Sequence, residues 1–89
     1  MPINKAQIER IKTLAKFYGA TQLILFGSAV DMPKQAKDID IACNGIHGWK
    51  LYEFAARIED ELELTLDIVP LSPPTRFTRM IEKKGKTLF

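Results

Sequence analysis

The sequence predicts one small α/β domain, because short apolar runs typical of strands alternate with longer segments whose apolar residues recur at helical spacing. A chain of 89 residues favours one domain over two. Its core is expected to be modest, because a domain of this size buries only about 60% of its unfolded surface. We therefore expect residues 1–89 to form a single α/β domain with a small sheet.

The composition is that of a globular protein, with 46% hydrophobic and 27% charged residues. The net charge of +2 is too small to predict direct nucleic-acid binding or attraction to a membrane surface. No apolar run approaches the roughly 18 residues of a membrane span, and the N-terminus lacks an apolar signal core. The single cysteine, Cys43, excludes an intramolecular disulfide and fits a reducing compartment. We therefore predict a cytoplasmic protein without membrane contact.

The first helix is predicted over residues 5–18. Asn4 is a favourable N-cap, and Gln7 three residues later forms a variant of the capping box. Gly19 ends the pattern, as a left-handed residue after a helix does. The apolar residues at helical spacing are Ile8, Ile11, Leu14, Ala15 and Tyr18.

Two further helices are predicted in the second half of the chain. The apolar positions of the first of these are Trp49, Tyr52, Ala55, Ala56, Ile58 and Leu62. Ser72-Pro73-Pro74 is expected to start the last helix, because proline suits the first turn. We expect Phe77, Met80 and Ile81 to form its inner face, Gly85 to end it, and a short extension to follow.

Three strands are predicted between these helices. Residues 23–26 are wholly apolar, which favours a central strand buried on both faces. Gly27-Ser28 forms its exit corner, and Ser28 is placed to cap a short helical turn towards Val30. A polar loop at residues 34–37 then leads to the second strand, and residues 38–43 and 64–71 are the second and third strands.

Two carboxylates interrupt the second strand, in the order Asp38-Ile39-Asp40-Ile41. Residues two apart in a strand point to the same face, about 6.6 Å apart along it, so Asp38 and Asp40 share a face. Like charges this close repel unless something neutralises them. A divalent cation does so, and Mg²⁺ is typically held by one or two carboxylates together with phosphate oxygens. The pair therefore indicates a magnesium site.

Asp67 is the lone acidic residue of the third strand, and it would join the pair if the two strands are neighbours. Such a set suits two-metal phosphoryl chemistry. Gly27 permits close approach of the backbone to a ligand, and Ser28 at a helix start offers N–H groups and a hydroxyl to phosphate. Asp-x-Asp and Gly-Ser are each weak signals, because such residues often cap turns, but their combination favours metal–phosphate chemistry over a purely structural role.

The combined motif resembles the signature of the DNA polymerase beta-like nucleotidyltransferases, namely Gly27-Ser28, a nine-residue gap and Asp38-Ile39-Asp40. Asp67, in Leu66-Asp67-Ile68-Val69, is similar to the third carboxylate of that superfamily. The short length is similar to that of the minimal nucleotidyltransferase (MNT) group, and the resemblance covers nearly the whole chain.

This resemblance implies a mixed sheet flanked by helices, with Asp38, Asp40 and Asp67 as Mg²⁺ ligands. Asp67 would also assist deprotonation of the acceptor hydroxyl, and Gly27 and Ser28 would bind a nucleoside triphosphate, with ATP expected. Members of the group pair with a HEPN-domain toxin and transfer AMP from ATP to it. The resemblance thus implies an antitoxin that acts as a nucleotidyltransferase.

The sequence departs from the family at Ala29-Val30-Asp31, where many relatives carry an arginine. This departure motivates an alternative function, a weak or inactive nucleotide- and partner-binding subunit that neutralises a toxin by binding. A plain structural subunit with fortuitous aspartates is a third interpretation.

Other conspicuous residues are interpreted as structural. His47 is expected in a loop, and Cys43 is expected in the core beside Ile39 and Ile41. Trp49 and Tyr52 are interpreted as helix packing. The last helix and its end carry a basic cluster that we interpret as a solvated face, with contact to a nucleotide or an acidic partner as the alternative: Arg76, Arg79, Lys83, Lys84 and Lys86.

Overall fold

The computed structural model describes residues 3–27, 30 and 38–89. Within these residues it contains three α-helices and four β-strands. In chain order they are α1 Lys5–Phe17, β1 Gln22–Phe26, β2 Asp38–Asn44, α2 Trp49–Leu62, β3 Thr65–Pro70, α3 Arg76–Lys84 and β4 Lys86–Thr87. The predicted polar loop at 34–37 and most of the predicted turn after Gly27 lie outside the described residues.

The strands form one mixed sheet in the order β3-β2-β1-β4. Strand β1 pairs antiparallel with both β2 and β4, while β2 pairs parallel with β3. Leu23, Ile24 and Leu25 are buried, so the predicted central strand is confirmed. The neighbouring positions of β2 and β3, on which the predicted carboxylate site depends, are confirmed as well.

Helix α1 begins where its sequence predicts. The Gln7 backbone N–H donates to Asn4 Oδ1 at 2.8 Å, and the Asn4 N–H donates to Gln7 Oε1 at 2.9 Å. These two bonds complete the expected capping box and satisfy two of the N–H groups that a helix start leaves unpaired. The inward residues Ile11, Leu14 and Ala15 are buried, which fixes α1 against the sheet.

The predicted inner face of α2 is wrong in part, although the helix itself lies where expected. Trp49 and Tyr52 are 81% and 70% exposed, whereas Phe54 and Ile58 are fully buried. The helix carries two apolar stripes, and the stripe of Phe54 and Ile58 faces α1 and the sheet because it joins the main core there. Trp49 and Tyr52 instead contact each other on the outer face, with ring centroids 6.1 Å apart.

The start of α3 also differs from the prediction. The helix is capped by Thr75, whose side chain accepts from the Thr78 N–H at 3.1 Å, so the two prolines precede the helix. Thr78 and Ile81 are buried, while Phe77 and Met80 are 48% and 47% exposed. Of the three residues expected on the inner face, only Ile81 is fully buried, because a nine-residue helix presents little more than one narrow stripe to the sheet.

The two faces of the sheet are covered unequally. One face carries the main core, in which Ile39 and Ile41 of β2 pack with residues of α1 and α2. The opposite face carries a smaller cluster of Ile24, Ala42, Leu71 and Ile81 under α3. Side chains alternate along a strand, so Asp38 and Asp40 lie on this second face with Ala42. Among the described residues, Asp38 and Asp67 are exposed on that face and Asp40 is half-buried.

Candidate active site

Asp40 and Asp67 occupy paired positions on neighbouring parallel strands. The register of β2 and β3 places Asp40 opposite Asp67, with Ile39 opposite Leu66 on the core side. Neighbouring strands lie about 4.8 Å apart, so the two carboxylates project side by side from the second face of the sheet. Asp40 is half-buried and Asp67 is exposed. The predicted convergence is therefore present for these two residues.

The pKa of the Asp40 carboxyl is raised above its ordinary value of 3.8. Burial is the largest cause, because it disfavours the charged form, and the adjacent Asp67 raises the pKa further by repulsion and by a hydrogen bond between the side chains. Asp38 adds a smaller repulsion. The pair is thus a site of excess negative charge that a cation would relieve.

Asp38 lies at the start of β2, on the same face as Asp40 but more exposed. Among the described residues, no three or more His, Cys, Asp or Glu side chains converge closely enough to hold a metal ion. The structure therefore brings Asp40 and Asp67 together and places Asp38 at a distance where it acts on Asp40 through charge. The role of all three as metal ligands stays a prediction.

Gly27 stands at the end of β1, next to the aspartates. Its backbone φ is +74°, a value that residues other than glycine rarely adopt. A Cβ at this position would lie 2.5 Å from Asp40 Oδ2. The antiparallel register pairs the preceding Phe26 with Asp40, which explains this proximity. Glycine is therefore favoured here for two reasons: it tolerates the positive φ, and it has no Cβ to clash with the Asp40 carboxylate. Ser28, the second predicted phosphate ligand, lies outside the described residues.

The donor set suits a magnesium ion that also binds a phosphate-containing ligand. Mg²⁺ keeps several waters and is usually bound by one or two carboxylates plus substrate phosphates, rather than by a cage of protein ligands. Asp40 and Asp67 supply two carboxylates on an open face, with mutual repulsion that a cation would offset. A glycine backbone borders the same face. These residues fit a metal that binds together with nucleotide.

A groove of about 400 Å³ lies beside this site, between the end of β1 and helix α3. It is lined by Phe26, Gly27, Val30, Phe77, Met80, Ile81, Lys84 and Gly85. The sequence interpretation missed it because Phe77 and Met80 were expected in the core. One feature of the sequence does indicate that Phe77 and Met80 are partly exposed. They lie on a short helix with several basic residues, and such a helix can bury only a narrow stripe of its surface.

Comparison with solved structures identifies the fold. A chain of the toxin–antitoxin complex MntA-HepT superposes with a TM-score of 0.74 at 21% identity, covering 97% of this chain and 72% of that one. A tri-AMPylated Shewanella oneidensis HEPN toxin in complex with an MNT antitoxin gives 0.75 at 20% identity, covering 98% and 72%. A toxin–antitoxin structure with AMP-PNP gives 0.77 at 22% identity, covering 92% and 72%. This chain has a nucleotidyltransferase-like fold.

The nucleotidyltransferase-like fold confirms the predicted mixed sheet flanked by helices, and it confirms at the level of the fold the resemblance to the minimal nucleotidyltransferases. No protein-family profile and no curated protein sequence matches the chain. The likeness therefore resides in three-dimensional structure and in the few motif residues.

The residues interpreted as structural occupy the expected places on this fold, apart from Trp49 and Tyr52. Cys43 is buried in the main core, and burial raises the pKa of its thiol to about 11, which disfavours the reactive thiolate. His47 is exposed in the loop before α2. The basic residues of α3 are solvent-exposed. No helix among the described residues is long and apolar enough to span a membrane.

Proposed function

We propose that this chain is a Mg²⁺-dependent nucleotidyltransferase that moves AMP from ATP to a hydroxyl of a HEPN-domain partner and thereby acts as its antitoxin. The observation that carries the proposal is the pairing of Asp40 with Asp67 on an open sheet face beside Gly27. Paired carboxylates next to a glycine corner suit the binding of a metal–triphosphate complex. Asp38 completes the acidic set in this proposal.

Different residues would bind the metal, bind the triphosphate and meet the acceptor. Asp40 and Asp67, with Asp38, would hold Mg²⁺, which when bound neutralises charge on the phosphates and on the leaving group. Gly27 and Ser28 would hold the triphosphate through the backbone and the Ser28 hydroxyl. Asp67 is more exposed than Asp40, so it is better placed to meet an incoming acceptor.

The acceptor oxygen forms a bond to the α-phosphorus, and the bond from that phosphorus to the oxygen bridging to the β-phosphate breaks. Pyrophosphate leaves with the bonding electron pair. The acceptor hydroxyl gives up its proton to Asp67, which accepts it as a general base.

The structural neighbours support the choice of nucleotide, acceptor and partner. One of them contains a tri-AMPylated HEPN toxin with an MNT antitoxin, and another contains AMP-PNP. Asp67 is exposed, so an acceptor carried by a partner chain can reach the acidic site. ATP use, the single buried Cys43 and the lack of a membrane-spanning helix among the described residues accord with a cytoplasmic location.

Mass spectrometry of the partner tests this proposal. A HEPN-domain protein that binds this chain is mixed with it and MgATP, and a mass increase of one or more AMP groups is expected. Asp40→Asn and Asp67→Asn should lower the rate by about a hundredfold or more, because each removes several kcal/mol of charge stabilisation. Asp60→Asn, an exposed aspartate on α2, is the matched control and should leave the rate unchanged. An unmodified partner, or equal modification by all variants, would contradict the proposal.

A second candidate function is neutralisation by binding alone. It is favoured by Ala29-Val30-Asp31 in place of an arginine-containing run, and by the separation of Asp38 from the paired aspartates. The same variants distinguish the two functions in a toxicity assay. Neutralisation that persists in the Asp40→Asn/Asp67→Asn double variant supports binding, whereas its loss, with the complex still formed, supports transfer.

A further inference from the structure

We propose that the groove between β1 and α3 binds the nucleoside part of the nucleotide, with Phe77 and Met80 against the base and Lys84 at its anionic end. This inference rests on the proposed function for the identity of the nucleotide, and it adds a binding site that neither the carboxylates nor the glycine corner supplies.

The groove is continuous with the acidic site. Gly27 lines the groove and also lies directly against the Asp40 carboxylate. Phe26, the next lining residue, is the register partner of Asp40 on β1. A ligand with its phosphates at Gly27 and the aspartates therefore has its remaining part beside the groove. A nucleoside triphosphate has this arrangement, with a polyanion at one end and a flat, largely apolar base at the other.

The size and lining of the groove suit a nucleoside. Its volume of about 400 Å³ lies within the range of about 300–1,000 Å³ typical of small-molecule sites. Phe26 and Phe77 meet edge to face, with centroids 6.0 Å apart and planes at 81°, which forms an aromatic wall. Met80 adds a polarisable thioether that adapts to flat ligands. Phe77 and Met80 remain half-exposed, so these apolar surfaces are available to a ligand.

The charge around the groove favours a nucleotide over an apolar peptide segment. Lys84 is the charged residue among those that line it. Helix α3 carries a single acidic residue, Glu82, against four basic ones, Arg76, Arg79, Lys83 and Lys84. Helix α3 is therefore cationic, whereas Asp40 and Asp67 are acidic, so the helix favours phosphate and the aspartates favour a metal ion. Many relatives carry an arginine where this chain has Ala29-Val30-Asp31. In this proposal Lys84 supplies a positive charge in place of that arginine.

The floor of the groove is closely packed and provides a fixed binding surface. A Cβ at Gly85 would lie 2.5 Å from Ile24 Cγ2 and 2.7 Å from the Ile81 carbonyl oxygen, so the end of α3 lies tightly against β1. The Gly85 N–H donates to the Ile81 oxygen at 2.7 Å. The residues that line the groove are therefore held mainly by regular elements, which favours a preformed site.

Titrations with parts of the nucleotide test this inference. Adenosine, inorganic tripolyphosphate and ATP, each with Mg²⁺, are added to isotope-labelled protein and followed by NMR. Adenosine should shift the amide signals of Gly27 and Gly85 and the Met80 methyl signal. Phe77→Ala should weaken adenosine and ATP binding by about tenfold, the usual effect of losing one base–aromatic contact, and leave tripolyphosphate binding unchanged. Lys84→Ala should weaken tripolyphosphate and ATP binding but not adenosine binding.

Phe17→Ala is the matched control, because Phe17 is 74% exposed on α1 and does not line the groove. Unchanged amide spectra away from the groove confirm that each variant is folded. Wild-type ATP affinity in Phe77→Ala, or loss of partner binding with ATP affinity retained, would overturn the inference and leave AMP transfer intact. Adenosine binding that depends on Phe77, in a protein that transfers no AMP, would instead support the groove and contradict the proposed function.

Discussion

The backbone of Gly27 lies directly against the carboxylate of Asp40: a Cβ added to Gly27 would sit 2.5 Å from Asp40 Oδ2 and 3.3 Å from Asp40 Cγ. This relationship joins the two halves of the motif, the glycine corner after β1 and the acidic strand β2. It arises because β1 and β2 are antiparallel, so the end of one lies beside the start of the other. The glycine thus leaves space for the carboxylate as well as for a ligand.

Gly27→Ala is expected to destabilise the protein and displace the Asp40 side chain. The left-handed backbone alone costs a non-glycine residue about 1–2 kcal/mol, and the contact with Asp40 adds to that cost. The control is the same substitution in an Asp40→Ala background, where the close contact with the carboxylate is absent. Urea unfolding should show a larger loss in the free energy of unfolding for Gly27→Ala in the wild-type protein than in the Asp40→Ala background. Equal losses in the two backgrounds would contradict the contact.

Asp40→Asn is expected to stabilise the fold at neutral pH. The pKa of Asp40 is raised in the folded state by burial, then by Asp67 and Asp38, so the folded protein holds this proton more tightly than the unfolded chain. Stability is therefore lost as the pH rises from the ordinary value of 3.8 through the raised pKa. The variant should melt at a higher temperature than the wild type at pH 7, and the difference should vanish below pH 3.8.

Asp60→Asn serves as the control for this pH series, because Asp60 is exposed on α2. It should follow the wild-type melting temperature throughout the series. A lower melting temperature for Asp40→Asn at pH 7 would show that its carboxylate stabilises the fold, contrary to the argument from its raised pKa.

The sequence predicts an element well when the residues that determine it are close together in the chain. The capping box of Asn4 and Gln7 fixes the start of α1, and the apolar run of β1 identifies the central strand. The inner face of α2 was not predictable in the same way, because Trp49 and Tyr52 lie at helical spacing just as Phe54 and Ile58 do. Packing against α1 and the sheet selects between the two stripes, and a single sequence does not contain that contact.

The sequence likewise indicates some parts of the candidate site and not others. The aspartates stand out from sequence because carboxylates are uncommon in apolar strands, and the parallel pairing of β2 with β3 then places Asp40 beside Asp67. The contact of Gly27 with Asp40 depends on strand register, and the groove depends on where α3 docks on β1. Both are tertiary relationships between distant segments, so spacing along the chain does not indicate them.

Magnesium is expected to stabilise the protein when ATP is present. A ligand that binds only the folded state raises stability by about 2.7 kcal/mol at a hundred times its Kd, and the paired carboxylates should bind the metal–nucleotide complex. In a thermal-shift experiment with ATP, the melting temperature should therefore rise when Mg²⁺ is added and fall again when EDTA removes it. Asp40→Asn/Asp67→Asn should lose this response while Asp60→Asn keeps it. An equal response in the double variant would place the metal elsewhere.

Glu63→Gly is expected to stabilise the fold without affecting the site. Glu63 ends α2 with φ +53° and ψ +44°, a left-handed conformation in which glycine avoids the steric cost of a Cβ. After allowing for the greater freedom of glycine in the unfolded chain, the expected gain is about 0.5–1 kcal/mol in the free energy of unfolding. Glu53→Gly, in the exposed middle of the same helix, should instead destabilise by about 1 kcal/mol. Urea unfolding of both variants measures the contrast, and a loss of stability in Glu63→Gly would show that its side chain contributes more than its backbone conformation costs.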